Sequence, residues 1–324
     1  MNLLMCSVGR RGELVKNVRM TFGKKGKIVA TDNSPYAPAL YFADKQYIVP
    51  RITEDNYIDT LVEICKKEEI QAMATFIDPE IEILSKNRKI FEDLGIKVLV
   101  PYLETARLCF DKYKMYQHLV KNNIPTIRTY GTLEEAEDAF EKGELSFPVF
   151  VKPRTGSGSV GARKIESKEE LKVAVKEDPS LIIQELMTGV DLDADVYVDT
   201  ESKEAVSIFS KRKLSTTIGG ANKTISFQDE KLFDLIHRIV NVLELYGPSD
   251  MDFFYADGTY YLSEINPRFG GAYLHAYGAG VDFIQLIEQN VEGKANISSV
   301  GNYEENIVMM MYDSVVIKKE EELA

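Results

Sequence analysis

Late in the chain the sequence reads Tyr261-Leu262-Ser263-Glu264-Ile265-Asn266-Pro267-Arg268. This segment follows an apolar run at residues 251–255, and the pair Asp257-Gly258 lies between the two. An Asp-Gly pair between two strand-like runs is typical of a tight β-hairpin. We therefore expect two antiparallel strands here, with Arg268 on the loop that follows them.

The hairpin carries oxygen-bearing side chains at a spacing that lets them meet. Glu264 and Asn266 are two residues apart, so they face the same side of their strand, and Asp252 lies on the partner strand within reach. Two carboxylates and one amide oxygen suit Mg²⁺ shared with phosphates. Arg268 is placed to stabilise charge on a transferring phosphoryl group. The alternative is a solvent-facing polar stripe, and the apolar character of the opposite face argues against it.

A second segment combines a lysine with a glycine-rich loop. A strand-like run at residues 147–152 ends in Lys152, and the following loop contains Gly156, Ser157, Gly158 and Gly161. Backbone N–H groups in such a loop can approach phosphate oxygens closely because glycine has no Cβ. The sequence contains no Gly-Lys-[Ser/Thr] triplet, which excludes a P-loop. Taken alone, the loop is equally well explained as a mobile surface hairpin.

Two further features are weak on their own. A strand-like run at residues 181–185 leads into Glu185-Leu186-Met187, whose backbone groups could contact an adenine edge, and Asp191 is placed to accept from ribose hydroxyls. A plain strand followed by a turn is the alternative. Lys112 follows Asp111 at a predicted helix start, where most lysines are only solvated surface residues.

The first hundred residues alternate apolar strands with amphipathic helices, which predicts a parallel sheet covered by helices on both faces. Ligands of such sheets lie beyond the carboxyl ends of the strands. The loops predicted there are residues 9–12, 32–35 and 78–80, and Pro101 closes the unit.

The pattern changes from about residue 102. Helices are predicted near residues 111–122, 133–140 and 230–245, and another begins at Ser167. Strand-like runs at residues 181–185, 192–199 and 205–213 are joined by short turns, which is typical of antiparallel pairing. We predict an α+β region of two lobes, and domains at residues 1–101, 102–185 and 186–324.

Composition limits the possible partners and surroundings. The 324 residues include 39 basic and 51 acidic side chains, for a formal charge of −12, which disfavours binding to nucleic acids and anionic membranes. The three cysteines are widely separated and predict reduced core thiols of an intracellular protein rather than disulfides or a zinc site. No apolar run is long enough for a signal peptide or a membrane span. We expect a cytoplasmic protein.

Taken together, these motifs resemble the ATP-grasp superfamily in their order and approximate spacing. Within it, the chain is most similar to stand-alone proteins that resemble one half of the carbamoyl-phosphate synthase large subunit, and to the amino-acid ligase of pyrrolysine biosynthesis. The resemblance covers roughly residues 1–290. It implies a Rossmann-like pre-ATP-grasp domain followed by a two-lobed ATP-grasp fold, with ATP and Mg²⁺ bound and a homodimer as the family expectation.

The resemblance also assigns roles to individual residues. It implies phosphate contacts for Lys112 and Lys152, a lid formed by Gly156, Ser157, Gly158 and Gly161, adenine contacts for Glu185, Leu186 and Met187, and a ribose contact for Asp191. It implies magnesium ligation by Asp252, Glu264 and Asn266, and catalytic roles for Arg268, Lys152 and Arg212, with Arg212 on a basic strand over an acidic substrate. The ribose ligand is Asp where the family usually has Glu.

The function implied is ATP-dependent ligation of a small-molecule carboxylate, expected to be an amino acid, to an amine through an acyl phosphate. One alternative is phosphorylation of bicarbonate or carbamate, and another is a catalytically inactive ATP-binding regulatory protein. A dehydrogenase is excluded because Gly9-Arg10-Arg11-Gly12 is not a G-x-G-x-x-G fingerprint. Substrate selection is expected from residues 268–273 and from the loops at Arg10, Arg11 and Asp78.

Overall fold

A computed structural model describes residues 1–156, 160–217 and 220–324 of the chain. The first unit is a five-stranded parallel sheet in the order β3-β2-β1-β4-β5. Its elements are β1 (Asn2–Cys6), α1 (Gly12–Phe22), β2 (Lys27–Asp32), β3 (Lys45–Ile48), α2 (Tyr57–Glu68), β4 (Ala72–Thr75), α3 (Asp78–Lys86), α4 (Arg88–Glu92) and β5 (Lys97–Val98). The predicted α/β sheet is confirmed.

Strand β1 shows why this sheet is buried on both faces. Leu3 and Met5 belong to one apolar core, and Leu4 and Cys6 belong to the core on the other side. Successive side chains of a strand point to opposite faces, so a strand between two helical layers must be apolar throughout. The strand order reverses between β1 and β4, and ligand crevices form at such positions beyond the carboxyl ends of the strands.

A smaller antiparallel sheet forms the second unit, in the order β6-β9-β7-β8. Two helices, α5 (Leu103–Phe110) and α6 (Lys112–Lys121), lead into it. Its elements are β6 (Thr129–Tyr130), α7 (Leu133–Glu141), β7 (Val149–Pro153), β8 (Arg163–Ile165), α8 (Lys168–Glu177) and β9 (Leu181–Glu185). Ser167 caps α8 by accepting a hydrogen bond from the backbone N–H of Glu170, as the sequence predicts.

The third unit is a six-stranded sheet in the order β14-β13-β10-β11-β12-β15. Its elements are β10 (Val190–Val198), β11 (Ala205–Thr217), β12 (Gly220–Phe227), α9 (Glu230–Leu243), β13 (Gly247–Ala256), β14 (Thr259–Asn266), α10 (Tyr273–Gly278), α11 (Phe283–Val291) and β15 (Val308–Met310). Helix α9 packs its apolar stripe against one face of this sheet. The predicted pair of α+β lobes after the α/β sheet is confirmed.

One strand pairing differs from the sequence prediction. Strand β9 pairs with β6 and β7 in the small sheet, whereas β10 belongs to the large sheet, so the expected antiparallel pairing of the two was wrong. Residues 186–189 form a crossing between lobes rather than a hairpin turn. A Cβ on Gly189 would lie 2.3 Å from the backbone oxygen of Tyr255, so only glycine permits this close approach.

The first and third units share one apolar core. Residues of α1, α10 and α11 pack together in it, and Phe76 stacks on Phe269 with their ring centroids 5.9 Å apart. These two phenylalanines lie close in sequence to Asp78 and Arg268, so the shared core fixes the start of α3 against the loop that follows β14. In the described part of the chain, no helix has the length and apolar character needed to cross a membrane.

Candidate active site

The β13–β14 hairpin brings the predicted metal ligands together. Asp252 lies directly opposite Glu264, and Asp250 lies opposite Asn266. The register shifts between these pairs and Phe253, which lies opposite Leu262, so Ser263 is an extra residue in β14. Such a bulge changes which face the following side chains occupy.

The bulge explains a feature that strict alternation does not. Leu262 and Ile265 are three residues apart, yet both belong to the core under α9. Because Ser263 is the extra residue, Glu264 and Asn266 occupy the opposite face together with Asp252. We call that surface of the third sheet the site face.

Two lysines approach the site face from the other lobe. Lys112 is the first residue of α6, and its Nζ donates to the backbone oxygen of Gly156 at 2.7 Å and lies 3.8 Å from Glu264 Oε1. Lys152 lies on β7 and is buried. Burial lowers the pKa of Lys152 and nearby Lys112 lowers it further, although Glu264 acts in the opposite direction. A buried ammonium group whose charge is only partly balanced by neighbouring carboxylates favours the binding of an anionic ligand.

A third lysine, Lys213 on β11, was missed by the sequence analysis. Its ammonium pairs with Asp252 and lies 2.9 Å from Asp191 Oδ1. Burial opposes its charge, but the surrounding carboxylates outweigh that effect and raise the pKa of Lys213. We call the following set, in which all but the buried Lys152 are half-buried, the outer cluster: Lys112, Lys152, Asp191, Lys213, Asp252 and Glu264.

The structure does not bring Arg212 to this cluster. Arg212 pairs in register with Leu192, a residue of the core under α9, and its side chain is exposed. Lys211 and Lys213 therefore face the site, and Arg212 between them faces away because strand side chains alternate. The sequence does contain a signal for which residues of β11 face the site. On the neighbouring strand β10, aspartates occupy every second position, at residues 191, 193 and 195, and mark its polar face.

A second charged group lies deeper on the same face and is also absent from the sequence predictions. We call it the inner cluster, and it consists of Asp193, Asp195, Lys211 and Asp250. Lys211 is fully buried, pairs with Asp195 and lies 3.2 Å from Asp193 Oδ1. The three carboxylates each place an oxygen within 4.8 Å of the others. Burial and neighbouring carboxylates raise the pKa of Asp250, and burial raises the pKa of Asp195 to about 6.

Arg268 is held between the first and third units. Its Nε lies 2.7 Å from Asp78 Oδ1, and one terminal nitrogen lies 3.8 Å from Asp250 Oδ2. Burial opposes the charge, but Asp78 and Asp250 raise the pKa of Arg268. Arg11 donates to the backbone oxygen of Gly270 at 3.0 Å, and burial together with Arg268 lowers its pKa to about 10. Two half-buried arginines therefore lie at this boundary between the units.

A cleft of about 180 Å³ lies beside Lys112, Glu264 and Asn266. Its polar lining includes Lys112, two of the candidate metal ligands (Glu264 and Asn266), and Asp78, which pairs with Arg268. Its apolar wall comes from α3 and α5 and includes Ile81, Ala106, Cys109 and Phe110. The wall on the far side includes Gly156, at the start of the glycine-rich loop.

Glu185, Leu186 and Met187, the predicted adenine contacts, lie at the end of β9 and in the crossing between lobes. The backbone N–H of Glu185 donates to Arg128 O, and its side chain accepts from Arg128 N at 2.9 Å, while Leu186 and Met187 are half-buried in the crossing between lobes. Gly156 and Gly161 have positive φ angles of 110° and 77°. Ser157 and Gly158 lie outside the described residues. His275 is buried with Nδ1 2.7 Å from Thr224 Oγ1, so it is a core residue.

Comparison with known proteins gives two family matches. Residues 3–99 match the PylC-like N-terminal domain, and residues 109–272 match the ATP-grasp domain. The carbamoyl phosphate synthase large chain of Clostridium acetobutylicum is 23% identical over 293 residues, which cover 85% of this chain and 27% of that protein. The chain thus spans about a quarter of that relative's length.

Solved structures give the same fold. The biotin carboxylase domain dimer of the Hydrogenobacter thermophilus 2-oxoglutarate carboxylase, in complex with MgADP, ADP and bicarbonate, has a TM-score of 0.74 and 19% identity, covering 95% of this chain and 73% of that one. An L-amino acid ligase from Bacillus licheniformis has a TM-score of 0.68 and 19% identity, covering 92% and 77%.

Proposed function

We propose that this chain, which belongs to the ATP-grasp family, is an ADP-forming ligase that activates a small-molecule carboxylate and joins it to an amine. The observation that carries the proposal is the site face itself. Asp252, Glu264 and Asn266 share it across the β13–β14 register. Lys112 faces Glu264 from the other lobe, and Arg268 follows on the next loop.

The residues present fit a magnesium ion. Asp252, Glu264 and Asn266 would hold it, since carboxylate and amide oxygens are the hard ligands that this cation takes. A bound ion would neutralise charge on the terminal phosphates of a nucleotide. The same proposal includes the ATP contacts implied by the family resemblance: phosphate contacts by Lys112 and Lys152, adenine contacts by Glu185, Leu186 and Met187, and a ribose contact by Asp191.

The chemistry explains why these residue types are needed. A carboxylate is a poor electrophile because its charge is delocalised and it has no leaving group. Its oxygen attacks the γ-phosphorus of ATP and ADP leaves; an amine then attacks the carbonyl carbon of the acyl phosphate, loses a proton, and phosphate leaves. Lys112, Lys152 and Arg268 stabilise the phosphoryl charge and position the reacting groups, without covalent catalysis. The loop from Gly156 to Gly161 would exclude water from the acyl phosphate.

The arginine pair supports a carboxylate substrate. Arg11 and Arg268 are both half-buried at the boundary between the first and third units, and guanidinium groups match the geometry of a carboxylate. An amino-acid substrate is the form of the proposal that agrees with the similarity to the Bacillus licheniformis L-amino acid ligase. The cytoplasmic location and the homodimer stay predictions.

The test is substrate-dependent release of ADP and phosphate. The full-length protein is incubated with ATP and Mg²⁺ and with amino acids, singly and in pairs, and with bicarbonate in a separate series. Release that requires a carboxylate and an amine together, with a mass-spectrometric product of the two, supports ligation. Release that depends on bicarbonate alone would replace the ligase by a carboxyphosphate-forming enzyme. Tight ATP binding without release under any condition would contradict catalysis.

A further inference from the structure

Both carboxylates proposed for the metal are already paired with lysines. Lys213 pairs with Asp252, and Lys112 lies 3.8 Å from Glu264. Lys213 also lies 2.9 Å from Asp191, the proposed ribose ligand. Lys213 therefore contacts two groups that a nucleotide and its metal would use: Asp191 on the adjacent strand β10, and Asp252 on β13, one strand farther.

The charges of the outer cluster balance. Its three carboxylates, Asp191, Asp252 and Glu264, are matched by Lys112, Lys152 and Lys213. A divalent cation entering alone would have to displace an ammonium from Asp252 and lose part of its own hydration. A polyphosphate entering with the cation offers the displaced lysine a new partner. Electrostatics therefore favours joint entry over entry of the metal alone.

We propose that Lys213, which pairs with Asp252, transfers from that carboxylate to a nucleotide phosphate when metal and nucleotide bind together. This inference rests on the proposed function, because it requires a magnesium nucleotide at the site face. It adds a third phosphate-binding lysine, one whose present partner is the proposed metal ligand Asp252. The exchange also means that metal and nucleotide each bind more tightly when the other is present.

The geometry permits the exchange. The side chain of Lys213 is 12% exposed and those of Asp191 and Asp252 are 38% and 26% exposed, so the cluster borders solvent. Lysine has a flexible four-carbon stem that can redirect its ammonium without moving the strand. Lys211, two residues earlier, has no exposed surface and is enclosed by three carboxylates, so it cannot make the same movement.

The first experiment measures metal and nucleotide binding separately in Lys213→Met. Mn²⁺, which takes the same oxygen ligands, is titrated without nucleotide and free Mn²⁺ is followed by electron paramagnetic resonance. We expect Mn²⁺ alone to bind about tenfold more tightly than in the unsubstituted protein, because a competing positive charge is removed. We expect MgADP, measured by isothermal titration calorimetry, to bind about tenfold more weakly, because a charged phosphate contact is lost.

Controls separate this exchange from a general charge effect. Lys223→Met removes an exposed lysine of the neighbouring strand β12 and should leave both affinities unchanged. Adding Asp252→Asn to Lys213→Met should abolish the gain in Mn²⁺ affinity.

A second variant tests the exchange with Lys213 intact, which matters if Lys213→Met does not fold. Asp252→Asn releases Lys213 from its partner, so ADP in the presence of EDTA should bind about fivefold more tightly than to the unsubstituted protein. Unchanged Mn²⁺ affinity in folded Lys213→Met, or unchanged metal-free ADP affinity in Asp252→Asn, would overturn the inference. If the unsubstituted protein binds MgADP, such a result leaves the proposed function standing; if it binds no nucleotide at all, both fail.

Discussion

The inner and outer clusters both pair a lysine of β11 with aspartates of the large sheet, but they differ in exposure to solvent. Lys211 and Lys213 are two residues apart on β11. Lys211 pairs with two aspartates of the adjacent strand β10, and Lys213 pairs with one aspartate of β10 and one of β13, the next strand along. The inner cluster is sealed: Lys211 has no exposed side-chain surface, and Gly270 covers Asp195 and Asp250. In the outer cluster, Lys112 and Glu264 line the cleft, and Asp191 and Asp252 are partly exposed. Burial, rather than residue type, separates ion pairs that hold the sheet from ion pairs that can exchange partners.

The largest expected effect is on the inner cluster. Lys211→Met leaves the buried carboxylates of Asp193 and Asp195 without their cation, and breaking a buried ionic network by removing one partner costs about 3–5 kcal/mol. Lys213→Met is the matched comparison and should cost less than about 1 kcal/mol, because its partners are partly solvated. Urea unfolding measures both. Equal losses in the two variants would remove the distinction between the clusters.

The next largest effect is on catalysis at the outer cluster. Glu264→Gln preserves shape but removes a metal-binding charge, so ADP release should fall about 100- to 1,000-fold. Circular dichroism and the unfolding midpoint should stay close to those of the unsubstituted protein. Glu204→Gln, at an exposed glutamate away from the cleft, is the control. A Glu264→Gln enzyme with ordinary turnover would remove the magnesium assignment.

A smaller effect tests how tightly the inner cluster is closed. A Cβ on Gly270 would lie 2.8 Å from carboxylate oxygens of both Asp195 and Asp250, so Gly270→Ala should destabilise the fold by about 2 kcal/mol. Gly278→Ala meets open space and should have little effect on stability. The measurement is the shift of the urea midpoint, and equal shifts for the two variants would mean that the cover over the inner cluster is loose.

The smallest predicted effect concerns the link between the first and third units. Asp78→Asn weakens the ion pair that orients Arg268, so kcat should fall about tenfold while KM for ATP is unchanged. Asp78→Glu, which retains the charge, should recover part of the loss. Asp59→Asn, at an exposed aspartate of α2, is the control. A change confined to KM for ATP, or to stability, would contradict positioning of Arg268 by Asp78.

The sequence predicts the hairpin and its ligands because both depend on local rules. The Asp257-Gly258 turn marks the hairpin, and the two-residue spacing places Glu264 beside Asn266. The bulge at Ser263 is not predictable in this way, since it is defined by the register of two strands. Strand-and-helix alternation likewise predicts the parallel sheet, whereas the crossing at residues 186–189 depends on which sheet each strand joins.

The parts of the site that the sequence missed depend on contacts between distant segments. The sequence does not show that Arg212 faces away from the site, because the face that each residue of β11 occupies is fixed by the pairing of that strand with β10. The ion pair of Asp78 with Arg268 joins residues 190 positions apart in the sequence, so no local sequence pattern predicts it. The inner cluster had a visible signal, the alternating aspartates at residues 191, 193 and 195, which marks one polar face of a strand.

A crystal structure with MgADP tests the central claim most directly, because that claim is an exchange of partners at the outer cluster. The account predicts a metal ion ligated by Asp252, Glu264 and Asn266, the ammonium of Lys213 on a phosphate oxygen instead of on Asp252, and an unchanged inner cluster. A nucleotide bound elsewhere, with Lys213 still paired to Asp252, would contradict it.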